Sequence, residues 1–239
     1  DPLSNMQFTA FTSLLTRRLA GEPIAYLTGT REFYGRSFEV SPDVLIPRPD
    51  TERLVELALA RIPPDQALTV LDLGTGSGCI AITLALERPH ARVTAVDRSS
   101  AALAVAQRNA DIHHAGVEFL TSDWFAELGG RRFDLIVSNP PYIAAADPHL
   151  RRGDVRFEPL TALAAGQDGL DDLRHLTAAA CTHLKPGGTL LLEHGFDQAD
   201  AVIELLRQHG FGQACTMRDL AGLNRVSGAR WPAEAGPAG

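Results

Sequence analysis

A glycine-rich segment at residues 72–78 is the first part of the sequence that suggests chemistry. It reads DLGTGSG and lies between an apolar strand pattern and an apolar helix pattern. Glycines at such a turn permit positive φ and let a ligand approach the backbone closely. The spacing is G-x-G-x-G. Cys79 stands where a dinucleotide fingerprint has its third glycine, and no Lys-Ser or Lys-Thr pair follows. The segment therefore predicts a ligand crevice of another kind, with a tight turn that binds nothing as the alternative.

Acidic residues end the next two strand patterns. Asp97 follows the second strand, where a carboxylate can accept hydrogen bonds from both hydroxyls of a ribose. Together with the glycine segment, Asp97 indicates a nucleoside cofactor. Asp123 and Trp124 follow the third strand, where the indole can pack on an adenine and the carboxylate can hydrogen-bond to it. A capping Asp and a core Trp are the alternative for this pair.

The segment Asn139-Pro140-Pro141-Tyr142 follows the fourth strand pattern and offers acceptors for a flat NH₂ group. Prolines fix φ and carry no N–H donor, and the residue before a proline is pushed toward extended geometry. The side-chain oxygen of Asn139 and the carbonyl of Pro140 can then accept both N–H bonds of an amide or amino nitrogen. Tyr142 can stack on the flat group and exclude water. For such a segment taken alone, a proline-stiffened turn is the alternative.

Methyl transfer from S-adenosylmethionine to a planar nitrogen is the reaction that these segments predict together. An amide nitrogen is a poor nucleophile because its lone pair is delocalised into the carbonyl. Two acceptors would orient it and favour a tetrahedral geometry, so catalysis would come from orientation and charge placement. We predict Asn139, Pro140 and Tyr142 as the catalytic residues. The sequence shows no clear general base, and the proton can leave to water once the nitrogen is cationic.

Alternating strand and helix patterns place these segments on one α/β sheet. The apolar strand patterns lie at 68–73, 92–97, 117–121, 133–138 and 188–193, with two weaker ones near 211–218 and 225–231. The helix patterns lie at 79–88, 100–112, 170–183 and 198–209. Near-continuous apolar strands separated by helices predict a mostly parallel sheet with helices on both faces.

The first third of the chain has a different pattern. We expect a helix at 3–20, a hairpin with strands at 31–34 and 37–40, and a helix that Asp50 or Thr51 caps and that runs to about residue 61. Pro63-Pro64 mark a boundary. These patterns divide the chain into a helical segment at 1–22, a hairpin and linking helix at 23–66, and the α/β domain at 67–239.

Composition narrows the class of protein. The net charge is −7 and no run of Lys or Arg exceeds a pair, which argues against a nucleic acid held through phosphate contacts. Three cysteines without paired spacing predict neither disulfides nor a zinc site, and we expect no metal. No apolar run approaches roughly 18 residues and the start lacks a secretory pattern, so we expect no membrane span and a cytoplasmic address. We also expect a monomer.

Six segments closely resemble the bacterial release factor glutamine methyltransferases. They read VLDLGTGSGCIAI at 70–82, AVDRS at 95–99, SDWF at 122–125, IVSNPPYI at 136–143, GEPIAYLTGTREFYGRSFEVSPDVLIPRPDTE at 21–52 and GDVRFEPLTAL at 153–163. The segment at 21–52 is the most specific, since glycine loops and NPPY segments occur in many amino methyltransferases.

The resemblance implies a seven-stranded class I methyltransferase fold that acts on the glutamine of the Gly-Gly-Gln loop in class 1 peptide chain release factors. It implies cofactor contacts at Gly74, Thr75, Gly76, Ser77, Gly78, Asp97, Trp124 and Asn139. It implies glutamine contacts at Asn139, Pro140, Pro141 and Tyr142. It also implies that residues 1–22 are the last helix of a fuller N-terminal helical domain.

Two other functions stay open on the residues alone. A DNA or RNA adenine or guanine amino methyltransferase would use the same acceptors on a flipped or single-stranded base. A non-catalytic nucleoside-binding module would need only the glycine segment and Asp97. The long segment 144–172, rich in Asp and Arg, either helps to form the substrate entrance or is a solvated loop, and Arg48 can face the same site.

Overall fold

A helix with an exposed surface begins the structure, which is a computed structural model that describes residues 4–233 of the 239. Helix α1 (Asn5–Leu19) starts with a capping box: the Ser4 hydroxyl accepts from the Gln7 N–H, and the Gln7 side chain accepts from the Ser4 N–H. This confirms the predicted N-terminal helix over residues 5–19, while residues 1–3 lie outside the described part. No residue of α1 is buried, so the helix adds little to the core.

The predicted hairpin is confirmed, one residue earlier than the pattern placed it. A short helix that the sequence did not predict, α2 (Ile24–Thr28), leads into β1 (Thr30–Phe33) and β2 (Arg36–Glu39). Tyr34 and Gly35 form the turn with φ of 53° and 72°, as a two-residue turn that matches the strand twist requires. Phe33 and Phe38 point into the main core, which ties the hairpin to the α/β domain.

Helix α3 (Pro49–Leu59) begins before the residues predicted to cap it. The prediction that Asp50 or Thr51 would be the N-cap is wrong, because Arg48 occupies that position and Pro49 is the first helical residue. Proline suits this position, since its ring sets a helical φ and its missing N–H would have no partner there. Thr51 is therefore inside the helix and buried, where its hydroxyl is free for another contact.

The seven-stranded, mostly parallel sheet is confirmed, with the order β5-β4-β3-β6-β7-β9-β8. Its strands are β3 (Thr69–Leu73), β4 (Arg92–Asp97), β5 (Val117–Thr121), β6 (Phe133–Ser138), β7 (Leu184–Glu193), β8 (Gly212–Arg218) and β9 (Asn224–Arg230). The helices between them are α4 (Cys79–Glu87), α5 (Ser100–His113), α6 (Asp171–His183) and α7 (Ala199–Gln208). Strands β3 to β7 run parallel, and β9 pairs antiparallel with both β7 and β8.

Alternate residues of the strands feed cores on opposite faces of the sheet. Val70 of β3 packs with α3, α4 and the hairpin phenylalanines, whereas its neighbour Leu71 packs with α6 and α7. Both faces are thus covered by helices, which explains why the strands read as continuous apolar runs.

The chain leaves β3 toward β4 on one side and later returns to place β6 on its other side. Such a reversal opens a crevice outside the carboxyl ends of the strands, where ligands bind in open α/β sheets. The glycine segment after β3, Asp97 at the end of β4 and the NPPY segment after β6 all lie at this edge. Within residues 4–233, no helix has the length and apolarity that a membrane span requires.

Candidate functional site

The glycine segment forms a tight loop fastened to the neighbouring strand. The N–H groups of Gly74 and Thr75 both donate to the carbonyl of Val96, at 2.9 and 3.0 Å. The Thr75 hydroxyl donates to Asp72 Oδ2 at 2.6 Å. Burial raises the pKa of the Asp72 carboxyl to about 7, against the opposing effect of the Thr75 hydroxyl. Buried polar contacts therefore hold the loop in place, and the loop backbone faces the crevice.

The three glycines of this loop differ in what surrounds them. All have positive φ, at 70°, 56° and 81° for Gly74, Gly76 and Gly78. A Cβ on Gly76 would meet no atom within 4 Å, so this residue faces open space. A Cβ on Gly78 would lie 2.9 Å from the Ile82 side chain and 3.1 Å from that of Ala106. Gly76 can thus receive a ligand, whereas Gly78 lets helices α4 and α5 pack closely.

Asp97 is held at the edge of the crevice by two backbone donors. Its Oδ2 accepts from the Gly76 N–H at 3.0 Å and its Oδ1 from the Ser99 N–H at 2.9 Å. Ser99 in turn caps α5 by accepting from the Ala102 N–H. Because each carboxylate oxygen has two lone pairs, Asp97 keeps acceptor capacity on both oxygens for a ligand.

Trp124 covers the glycine loop in a backbone conformation that is uncommon for its residue type. Its φ is 51°, and the Ser122 hydroxyl donates to its carbonyl at 2.8 Å. The indole lies 3.2 Å from the Cβ position of Gly74. Trp124 also packs against the core on the α6 side of the sheet. Trp124 therefore lies on the wall of the crevice and also packs at the edge of the core.

The NPPY segment lies directly beside the glycine loop. Ser138 pairs with Leu73 in the parallel ladder, and its hydroxyl donates to the Leu73 carbonyl at 2.7 Å. Asn139 Nδ2 donates to the hydroxyl oxygen of Thr51 at 3.1 Å. This contact uses one of the two N–H donors of the amide and turns the NH₂ group toward Thr51, so Oδ1 stays available as an acceptor. The hydroxyl of Tyr142 donates to Glu193 Oε1 at 3.4 Å.

A cavity of about 260 Å³ lies between these segments. Most of the residues predicted to bind the cofactor or substrate lie on its wall, namely Gly74, Thr75, Gly76, Ser77, Asp97, Asp123, Trp124, Asn139 and Pro141. A second cavity, of about 620 Å³, shares Asn139 and Arg48 with the first, and Pro140 and Tyr142 lie on its wall. The NPPY segment thus separates two adjoining spaces. Gly78 lines neither, for the packing reason given above.

The segment 144–172 closes one side of both cavities. The carboxylate of Glu158, whose side chain is fully buried, pairs with Arg48 and accepts from the Ile46 N–H at 3.0 Å. Thr161 lies on the wall of the first cavity. The buried contact at Glu158 fixes this part of the segment against the residues before α3, and Arg48 lies on the wall of both cavities.

The donor set suits an adenosine-type ligand rather than a metal. An open backbone at Gly76, a carboxylate with free lone pairs at Asp97 and an indole face at Trp124 are the contacts that a ribose and an adenine require. Within the described residues, no group of three or more His, Cys, Asp or Glu side chains is arranged to hold a metal ion.

Comparison with known proteins identifies the family. The Methyltransferase small domain matches residues 53–152, and the PrmC N-terminal domain matches residues 1–29. The release factor glutamine methyltransferase of Burkholderia pseudomallei is 54% identical, with 97% of this chain and 84% of that protein covered. The enzymes of the same name from Salmonella typhimurium and Escherichia coli are 54% and 51% identical, each with 96% of this chain and 83% of the relative covered. The chain belongs to the release factor glutamine methyltransferase family.

As a member of this family, the chain is an S-adenosylmethionine-dependent protein methyltransferase. Solved structures agree with the fold. A methyltransferase from Pyrococcus furiosus is similar with a TM-score of 0.62 at 18% identity, covering 92% of this chain and 99% of that one. The Thermus thermophilus 16S rRNA N2 G1207 methyltransferase, solved with AdoMet and guanosine, is similar with a TM-score of 0.63 at 24% identity, covering 84% of this chain and 49% of that one.

Two residues near the family's NPPY segment were missed by the sequence reasoning. Thr51 was considered only as a helix cap, yet it accepts from Asn139. Glu193 was not considered, yet it contacts Tyr142 from the end of β7. A signal for Glu193 was present, because it is an acidic residue at the carboxyl end of a parallel strand, as Asp97 is. No local signal distinguishes Thr51 from an ordinary residue of the first helical turn.

Proposed function

We propose that this chain methylates the side-chain amide nitrogen of the glutamine in the Gly-Gly-Gln motif of class 1 peptide chain release factors. The observation that carries the proposal is the placement of Asn139 directly beside the glycine loop, with its amide oxygen left as an acceptor by the contact to Thr51. The relatives named as release factor glutamine methyltransferases, at 51–54% identity, support the choice of substrate.

The cofactor occupies the smaller cavity in this proposal. The loop residues Gly74, Thr75, Gly76 and Ser77 approach it with their backbone, and Asp97 accepts from the ribose hydroxyls. Asp123 and Trp124 form the adenine end. S-adenosylmethionine supplies an electrophilic methyl group on a sulfonium when bound. We assign Gly78 a supporting role in shaping the loop, since its position is packed against α5.

The substrate amide enters from the larger cavity and meets the NPPY segment. Asn139 Oδ1 and the Pro140 carbonyl accept its two N–H bonds, which aims the nitrogen lone pair at the smaller cavity. Tyr142 and Pro141 border the amide and exclude water. Burial among apolar neighbours raises the pKa of the Tyr142 hydroxyl, so it stays protonated and remains a donor to Glu193.

Methyl incorporation into a release factor tests the proposal directly. Labelled S-adenosylmethionine is supplied with a class 1 release factor, with the same factor carrying a replaced motif glutamine, and with nucleic acid. Label in the intact factor alone is the expected result. Equal labelling of both factors would refute the glutamine assignment, and label only in nucleic acid would favour an amino methyltransferase that acts on bases.

Asn139→Ala tests the role of the central residue. It removes one of the two acceptors for the amide, so turnover should be lost while cofactor affinity, measured by titration, changes little. An equal, large loss of turnover and cofactor affinity would mean that Asn139 mainly holds the cofactor. Thermal unfolding of the variant shows whether the fold is intact.

We further propose a division into residues 1–22, which belong to an N-terminal helical region, residues 23–66, which contain the hairpin and α3, and residues 67–239, which form the methyltransferase domain. The absence of buried residues in α1 supports the first limit. Residues 234–239 lie outside the described part. We propose that the protein acts as a cytoplasmic monomer that binds the release factor and no nucleic acid. Sedimentation of the chain with and without the factor tests this assignment.

A further inference from the structure

Glu193 ends β7, the neighbour of the strand β6 that Asn139 follows, and none of the roles above uses it. We infer that Glu193 is a positioning residue for methyl transfer, which holds Tyr142 directly and Asn139 through Thr51. The inference rests on the proposed function, because it concerns the residues that receive the substrate amide.

Burying the Glu193 carboxyl costs free energy of folding, so a gain in stability does not explain its position. The residue is 1% exposed, and its Oε2 has no hydrogen-bond partner within the described part of the chain. Arg225, whose charge lowers the pKa of Glu193, forms its ion pairs with Asp50 and Asp219 instead. The preceding residues 190–192 are buried leucines. Since an unsatisfied buried carboxyl destabilises a fold, another apolar residue would serve packing better here.

The first link runs through Thr51 to Asn139. The Thr51 oxygen accepts from Asn139 Nδ2 at 3.1 Å, which leaves the Thr51 proton to be donated. The Thr51 hydroxyl lowers the pKa of Glu193, so the two groups lie close together, and Glu193 Oε2 has no hydrogen-bond partner in the described part of the chain. When Thr51 directs its proton to Glu193, its oxygen can only accept from Asn139. A flipped Asn139 amide would point its own oxygen at this acceptor and its NH₂ toward the substrate. The substrate N–H would then meet a donor instead of an acceptor.

The second link is direct. The Tyr142 hydroxyl donates to Glu193 Oε1 at 3.4 Å, a long contact that nevertheless sets the direction of the phenol. Asn139 and Tyr142 are the first and last residues of the NPPY segment. One carboxyl therefore acts on both ends of it, on Tyr142 directly and on Asn139 through Thr51. This arrangement fixes the acceptor and the wall of the amide site together, in the way that supporting contacts orient reacting groups.

The charge state of Glu193 matters for both links. Burial raises the pKa of the carboxyl to about 7, while Thr51, Arg225 and Tyr142 oppose the rise and Asp50 adds to it. Burial raises the pKa of the Cys79 thiol on α4 to about 12, with a small contribution from Glu193, so that thiol stays neutral. As a carboxylate, Glu193 accepts from the Tyr142 hydroxyl and, in the inferred role, is also the acceptor for the Thr51 proton. Once protonated at lower pH, it becomes a donor and competes with Asn139 for the Thr51 oxygen.

Glu193→Gln tests the inference at nearly constant volume. We expect kcat with a release factor to fall by roughly tenfold or more at pH 8, about the effect of 1.4 kcal/mol. The Kd for S-adenosylmethionine should stay within about threefold, less than 1 kcal/mol. Wild-type kcat should decline as the pH falls from about 8 to 6, and the variant should lose most of this dependence because an amide does not titrate. Glu204→Gln, on the exposed face of α7, is the matched control.

Variants of Thr51 examine the link itself. Thr51→Val removes the hydroxyl at similar volume and should lower kcat by a factor close to that of Glu193→Gln. Thr51→Ser should recover most of that loss. The double variant Thr51→Val, Glu193→Gln should lose less than the product of the two single factors, because the two residues act as a unit.

The outcomes separate this inference from the proposed function. If the wild type does not methylate the release factor, the proposed function fails. If the wild type does methylate it and Glu193→Gln keeps its kcat and its pH profile, the positioning role is refuted. A parallel fall of kcat, cofactor affinity and melting temperature would also refute it, since it would reveal a structural role only.

Discussion

Replacing Asp97 with alanine should weaken cofactor binding while leaving the fold in place. Asp97 uses one lone pair of each oxygen on the N–H groups of Gly76 and Ser99. The remaining lone pair on each oxygen is available to one ribose hydroxyl. The alanine variant therefore loses up to two hydrogen bonds from the ligand to a charged acceptor. It also loses the hydrogen bond from the Gly76 N–H, which holds the loop.

The magnitude follows from the number and setting of these bonds. A hydrogen bond to a charged group is worth about 1.5–3 kcal/mol at most, and Asp97 is half-buried, so water replaces part of what each bond contributes. We expect a total loss of about 1–3 kcal/mol, which corresponds to a roughly 5- to 150-fold increase in Kd for S-adenosylmethionine.

Isothermal titration of the variant with S-adenosylmethionine measures this change. Asp111→Ala, which removes an exposed carboxylate near the C-terminal end of α5, is the control and should bind as the wild type does. Thermal unfolding reports whether the loop change spreads to the fold. A Kd for the Asp97 variant within about twofold of wild type, a difference below 1 kcal/mol, would show that the carboxylate does not contact the ribose.

Other changes near the crevice should separate packing from binding. In Gly78→Ala, the new Cβ is strained by the positive φ and also crowds the side chains of Ile82 and Ala106. We expect chemical denaturation to show a loss of about 2–4 kcal/mol in the free energy of unfolding. Gly76→Ala has the positive φ alone and should lose only about 1–2 kcal/mol while it obstructs the cofactor; equal losses for the two variants would contradict this. Glu158→Ala leaves Arg48 and a backbone N–H without their buried acceptor, so limited proteolysis within 144–172 should accelerate and KM for the release factor should rise. Unchanged proteolysis and an unchanged KM would show that this pair does not hold the entrance.

The sequence by itself was sufficient for the arrangement of the α/β domain. Continuous apolar strands, helical periodicity and the glycine and proline positions are local signals, and they placed β3 to β6 within one residue of their observed ends. Two local motifs at strand ends also located the crevice, because parallel strands bring their carboxyl ends to one edge of the sheet. The start of α3 was misplaced, since Pro49 competes with Asp50 and Thr51 for the first turn and the pattern alone does not rank them.

Only the tertiary structure decided how the crevice is supported. Asn139 donates a hydrogen bond to Thr51, which is 88 residues away in the sequence, and Arg48 pairs with Glu158, which is 110 residues away. Such pairs depend on how α3 and segment 144–172 fold over the sheet, and no local spacing encodes that approach. The same holds for Gly78, whose motif position suggests a ligand contact but whose neighbours are Ile82 and Ala106. Motifs identify the groups that can do chemistry, whereas long-range packing determines which atoms of those groups face the ligand.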